Sequence, residues 1–195
     1  MYDATDDPYC YPGTSILKNS LGLRTQAELA AFEAAITAQR ADEPLPAGGL
    51  TVDHYRAIHR HLFQDVYAWA GDYRTIRTGR DGHWFCFPEY IDSEMRGVFA
   101  ALADDNLFCD LDAEIFAARA AHFLAQLNAI HPFREGNGRA QNIFLVLLAD
   151  RAAHPLDFER LQPEAMLDAM IASFRGDEAP LAAVILSLLR GPGPR

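Results

Sequence analysis

The sequence predicts an all-α bundle carrying one β-hairpin, and three observations carry that expectation. Apolar residues recur at three- and four-residue spacing through most of the 195-residue chain. One stretch, YRTIRTGRDGHWFCF at 73–87, breaks that period with two short β-type runs around Asp81-Gly82, a strong turn pair. One run, IFLVLL at 143–148, is apolar on every side, which places its helix at the centre of a bundle.

Residues 1 to about 24 hold Pro8, Pro12, Gly13 and Gly22 and read as extended chain and turns. Thr25 is placed to cap a first helix with the apolar stripe Leu29, Phe32, Ala35 and Ile36. EPLPAGG, 43–49, is a loop, and Thr51 caps a second helix carrying Tyr55, Ile58, His59, Leu62 and Phe63. The hairpin is marginal alone and has to lean on the body. Helical pattern resumes from about 91 to 107, and a longer helix at about 112–130 lines up Phe116, Ala120, Phe123, Leu124, Leu127 and Ile130. The central helix covers about 138–153, and two more follow at about 163–174 and 178–190. The tail GPGPR, 191–195, has linker composition, so one domain is expected over 1–195 with its core at about 10–190.

Half the residues are apolar, and the formal net charge is −10. An acidic surface repels nucleic acid and anionic membrane at long range, so neither is an expected partner, and any nucleotide has to be held by a local site. Cys10, Cys86 and Cys109 form no CxxC pair and read as free thiols in a reducing cytosol. The opening residues MYDATDDPYCYPG have no basic or apolar leader pattern and no run of eighteen apolar residues occurs, so neither a secretory leader nor a membrane span is expected.

The chemistry concentrates in IHPFREGNGRAQN, 130–142. Gly136 and Gly138 flank Asn137 where a helix starts, and successive N–H groups in such a turn converge into an anion nest at a positive helix end. Arg139 and Asn142 are three apart and share a helix face. Glu135 beside a phosphate site suits magnesium, which is commonly held by one or two carboxylates together with substrate phosphates. His131, followed by Pro132, is placed to be the general base for an incoming hydroxyl. Phe133 is expected to point inward. Outside the loop, His59 and His61 lie on different helix faces, Arg74 and Arg77 read as solubilising strand residues, and Trp84 and Phe85 either clamp a target or pack the hairpin.

HPFREGNGR resembles the signature of the Fic family, H-x-F-x-[D/E]-G-N-G-R-x-x-R, at His131, Phe133, Glu135, Gly136, Asn137, Gly138 and Arg139. YPGTSILKNSLGLRT (11–25), YAWAGDYRTIR (67–77) and WFCFPEYI (84–91) resemble the family's N-terminal stretch, the segment before its hairpin flap and the flap's return strand. The resemblance implies a protein adenylyltransferase that moves AMP from ATP to a Tyr, Thr or Ser hydroxyl of a target protein. His131 would deprotonate the hydroxyl, and Glu135 would hold Mg2+ against the phosphates. Asn137, with the N–H groups around Gly136 and Gly138, would meet the α-phosphate, and Arg139 would grip the β-phosphate. The hairpin would pair with an extended target segment. The family's last motif arginine is Asn142 here, which puts the γ-phosphate contact, nucleotide preference and regulation in doubt. No inhibitory [S/T]-x-x-x-E-[G/N] helix is present in the sequence, so the resemblance implies a separate small antitoxin as restraining partner. It also implies a bacterial toxin or effector, acting in the bacterial cytoplasm or a host cytosol. Two rival readings are a Doc-like phosphotransferase and a nucleotide- or antitoxin-binding module weakened by Asn142.

Overall fold

The computed structural model describes residues 7–80 and 82–190; Asp81 of the expected turn and the 191–195 tail lie outside them. Within the described residues run seven α-helices: α1 Gln26–Asp42, α2 Val52–Phe63, α3 Ile91–Asp104, α4 Ala113–Ile130, α5 Asn137–Arg151, α6 Pro163–Phe174 and α7 Ala179–Leu188. The strands β1 Gly79–Arg80 and β2 His83–Trp84 make the one antiparallel hairpin among the described residues, in register Gly79↔Trp84 and Arg80↔His83. This is the all-α class with one hairpin that the periodicity predicts. The paired part of the hairpin is shorter than the 73–87 pattern implies, and Gly82 supplies the positive φ of its turn, +78°.

Both threonines expected as caps act as caps. The Thr25 side chain accepts from the Glu28 N–H and that of Thr51 from the His54 N–H, each at 3.3 Å. The helix expected over 91–107 stops at Asp104. Asn106, Leu107 and Phe108 all adopt left-handed φ of 52–60°, which no right-handed helix continues.

The fold clusters into two compact units. The first lies within Met1–Ser93 and His131–Ala140. There α1 packs on α2, and Leu29, Tyr55, Ile58, Leu62, Phe63, Tyr67 and Phe133 are buried. The buried line of α1 differs from the expected stripe. Leu29 and Thr37 are buried, whereas Ala35 is exposed and Phe32 and Ile36 are only partly covered. The helix therefore turns a mixed face inward, Leu29, Glu33 and Thr37 at four-residue spacing, and the reason lies in the site it borders.

The second unit lies within Glu94–Ile130 and Gln141–Arg195, where α7 packs on α4 and α6. Its core is an aromatic cluster in which Phe99 meets Phe123 and Phe144 edge-on at 5.4 and 5.3 Å. Phe144, Leu145 and Leu148 are buried, and Ile143, Val146 and Leu147 are half-buried, so none of the six apolar residues expected at a bundle centre is exposed. No helix among the described residues is long and apolar enough to cross a membrane.

Candidate active site

The loop from His131 to Gly136 joins α4 to α5, and its backbone is held at almost every residue. His131 sits just past the end of α4 with φ +50°, a left-handed conformation that a non-glycine residue keeps only when its surroundings enforce it. Phe133 is fully buried, stacked 3.7 Å from the His59 ring, as an inward anchor should be. The Asn137 side chain brackets Phe133: its Oδ1 accepts from the Phe133 N–H at 3.0 Å and its Nδ2 donates to the Phe133 carbonyl at 2.8 Å. His59 Nδ1 accepts a hydrogen bond from the Gly71 N–H at 2.9 Å, so its Nε2 is the protonated nitrogen and donates to the Glu135 carbonyl, also at 2.9 Å. Burial lowers the His59 pKa to about 4, so this bond is made by a neutral ring.

Gly136 is demanded twice over. Its φ is +83°, and a Cβ there would fall 2.3 Å from the Phe63 ring. The Ala140 N–H makes the first helical bond of α5, to the Gly136 carbonyl at 3.1 Å. The N–H groups of Asn137, Gly138 and Arg139 therefore have no carbonyl within their own helix and form its positive end. At Gly138 a Cβ would meet nothing within 4 Å, so the first turn is open on that side.

The charged groups of the loop are paired with the N-terminal third of the chain. Glu135 Oε1 accepts from the Gly136 N–H at 2.9 Å and lies 3.9 Å from Arg139 Nη2. Burial pushes the Glu135 carboxyl above its ordinary pKa, and the neighbouring Glu33 charge adds to the rise. Arg139 pairs with Glu33 of α1, donates to Thr37 Oγ1 at 3.2 Å, and lies over the Phe63 ring at 4.6 Å. The second Glu33 oxygen accepts from the Tyr67 hydroxyl. Arg134 makes a buried ion pair with Asp7 at 2.6 Å. A cavity of about 1100 Å³ opens beside these groups, bordered by Glu33, Tyr67, Arg134, Glu135, Arg80 of β1 and the Cys10–Leu17 segment.

The hairpin meets the loop at His131. The Phe85 ring lies flat on the imidazole, 3.8 Å between centroids and 5° between planes, which resolves the two readings of Phe85 in favour of packing. Trp84 is instead about half exposed, with the Arg77 guanidinium 4.8 Å above its ring. Arg74 is no solubilising strand residue. It is 2% exposed and bonds backbone carbonyls of both hairpin flanks and of the loop.

His131, Glu135, Gly136, Asn137, Gly138 and Arg139 thus come together in the first unit, while Asn142 lies half-buried on α5 in the second. Among the described residues no three His, Cys, Asp or Glu side chains gather as a metal cage. Glu135 alone still fits magnesium, because that ion takes much of its shell from phosphates and water. Glu33, His59 and Arg74 are members the sequence did not announce, whereas Phe85 fits the packing reading the sequence offered for it. The trace Glu33 leaves in the sequence is its four-residue spacing from Leu29 and Thr37.

The Fic/DOC family model matches residues 49–149. The chain is 53% identical over 189 residues to a probable protein adenylyltransferase, y4lH, of Sinorhizobium fredii, covering 96% of this chain and 98% of that protein. It is 35% identical to the probable protein adenylyltransferase Fic of Escherichia coli K12, over 96% and 94% of the two chains. Among solved structures, the BepC effector protein of Bartonella tribocorum with bound AMPPNP superposes with a TM-score of 0.83 at 28% identity, over 93% and 96% of the chains.

Proposed function

From the premise that this chain belongs to the Fic/DOC family and is a nucleotidyltransferase, we propose that it transfers AMP from ATP to a hydroxyl side chain of a target protein. One observation carries the reading. Within nine residues the loop supplies an imidazole fixed under the hairpin, a carboxylate and an open helix N-terminus, the parts that hydroxyl attack on a bound phosphate needs.

In this reading the target segment lies along the hairpin and brings its Tyr, Thr or Ser hydroxyl to His131. The imidazole takes the hydroxyl proton as the oxygen attacks the α-phosphorus. A bond forms between that oxygen and phosphorus, the bond to the α–β bridging oxygen breaks, and pyrophosphate leaves with the β- and γ-phosphates. The N–H groups of residues 137–139 meet the charge that grows on the α-phosphate. The Asn137 side chain is occupied on Phe133, so its share comes through its backbone N–H. Arg139 serves the β-phosphate. A magnesium ion held by Glu135 with the substrate phosphates would neutralise part of the triphosphate charge.

Asn142 in the place of the motif arginine alters nucleotide preference or regulation, because an amide donates a hydrogen bond without charge or a bidentate fork. A small antitoxin carrying a glutamate helix is the proposed restraining partner, and the bacterial or host cytosol the proposed place of action. Incubating a lysate with α-labelled and γ-labelled ATP tests the proposal. Label from the α position on protein, lost by a factor of about 10²–10⁴ in His131→Ala, is the expected result. Label from the γ position alone, or equal labelling by wild type and His131→Ala, overturns it.

A further inference from the structure

The Arg74 side chain is almost wholly buried, and its three guanidinium nitrogens each reach a backbone carbonyl. Nε donates to the His131 carbonyl at 2.8 Å, one terminal nitrogen to the Ile76 carbonyl at 2.6 Å and the other to the Cys86 carbonyl at 2.6 Å. Its own N–H donates to the Pro132 carbonyl at 2.9 Å. Ile76 precedes β1 and Cys86 follows β2, so one planar guanidinium joins the two flanks of the hairpin to each other and both to the loop. Burying a guanidinium costs desolvation energy that an apolar residue would avoid. Here the fork geometry supplies something no apolar residue can, three donors fixed in one plane.

What those donors hold is the backbone under the imidazole. His131 keeps a left-handed φ of +50°, and its carbonyl is one of the three acceptors. Its ring rests on Phe85, the residue just before Cys86, whose carbonyl is another. The Phe85 N–H in turn donates to the Thr78 carbonyl at 3.1 Å across the base of the hairpin.

We propose that Arg74 is the positioning residue of the site: it fixes the His131 imidazole and the hairpin in one frame, so that a hydroxyl presented by the hairpin arrives in line with the base. This rests on the adenylyl-transfer reading for the role of His131. Arg74 touches neither nucleotide nor acceptor; it sets the geometry between them. Loss of the clamp therefore lowers turnover and leaves nucleotide binding in place.

The test compares wild type with Arg74→Lys and Arg74→Gln. It measures kcat and the KM for ATP by α-label transfer, direct binding of a non-hydrolysable ATP analogue, and hydrogen exchange of amides in 74–87 and 131–137. The expected result is a kcat lower by about 10²-fold in Arg74→Gln, with partial recovery in Arg74→Lys. KM and analogue affinity should stay within about threefold, and exchange should quicken in both segments together while α2 keeps its protection. Unchanged kcat in folded variants overturns the proposal, as does an analogue affinity lost in step with kcat, or exchange that quickens in the hairpin alone. If Arg74→Gln fails to fold, the Lys variant alone decides between these outcomes. If wild type labels no protein, the transfer reading fails instead, and joint or separate loosening in hydrogen exchange still decides whether the clamp exists.

Discussion

Arg139 reaches the loop already committed to a carboxylate, and that commitment has a measurable consequence. In the proposed reading a triphosphate at Arg139 would share the guanidinium with Glu33, which is only 13% exposed and is held on its other oxygen by Tyr67. Glu33→Gln removes the charge and keeps both shape and a hydrogen-bond acceptor for Tyr67. A phosphate oxygen on the far side of the guanidinium would stand roughly 5 Å from the Glu33 carboxylate, a repulsion of about 1.5–3 kcal/mol at an effective dielectric of about 20–40. Arg139 is 38% exposed, so solvent screening reduces this to roughly 1–1.5 kcal/mol. The expected outcome is nucleotide binding about 5- to 12-fold tighter in Glu33→Gln, read by titration calorimetry with a non-hydrolysable ATP analogue and magnesium. The gain should shrink between about 50 and 300 mM salt as charges are screened. The same substitution should lower the Glu135 pKa, because the Glu33 charge is one cause of its rise. Binding that is unchanged or weaker in Glu33→Gln refutes the reasoning and makes Glu33 a support of the phosphate grip.

Asn142→Arg restores a charged donor on α5, and one charge-assisted contact of about 1.5–3 kcal/mol should raise kcat/KM for ATP by roughly 10- to 100-fold; an unchanged value and unchanged ranking of triphosphates would dismiss position 142 as a determinant. Gly136→Ala puts a methyl 2.3 Å from the Phe63 ring at φ +83°, so thermal melting should show a loss on the order of 2–4 kcal/mol; a loss below about 1 kcal/mol means the loop can shift at no cost. His59 is expected to make the protein acid-sensitive. Its folded pKa, lowered by burial to about 4 from 6.5, means that its contribution is complete above pH 6.5 and is lost as pH falls towards 4. The difference corresponds to roughly 3 kcal/mol. Urea melts across that window should show the decline, and in His59→Gln it should flatten; an equally steep decline in the variant assigns it to other groups.

What was legible in the sequence is what is local in the chain. Thr25 and Thr51 cap helices that begin one residue later, and the His131–Arg139 spacing is itself the loop. Signals of that kind need no knowledge of the fold. Glu33, His59 and Arg74 act on partners that lie 106, 76 and 57 positions away, and no periodicity encodes such a distance. Two of the three were hidden by a plausible alternative. His59 sits in an apolar stripe and resembles packing, whereas Arg74 stands beside a hairpin and resembles a solubilising residue. The expected stripe on α1 holds at Leu29 but not at Ala35, for a related reason. A helix bordering a polar site turns carboxylate and hydroxyl groups inward, so apolar periodicity locates that face only in part.

The bonding of the loop also shows how a chain of net charge −10 would hold the triphosphate proposed for it. The carbonyls of His131 and Pro132 accept from Arg74, that of Phe133 from Asn137, that of Glu135 from His59, and that of Gly136 from the Ala140 N–H. These negative ends of the loop's dipoles are tied to groups of the protein itself. The first N–H groups of α5 have no such carbonyl within their helix and are left for a ligand. The separation is made by neutral groups and one buried guanidinium, so it survives at any salt concentration that leaves the fold intact, unlike a field built from surface charge. Anion binding at this loop should therefore depend on the bracing side chains Asn137 and His59 as much as on Arg139, although neither need touch the anion through its side chain; Arg74 braces the His131 end of the loop and sets the base instead.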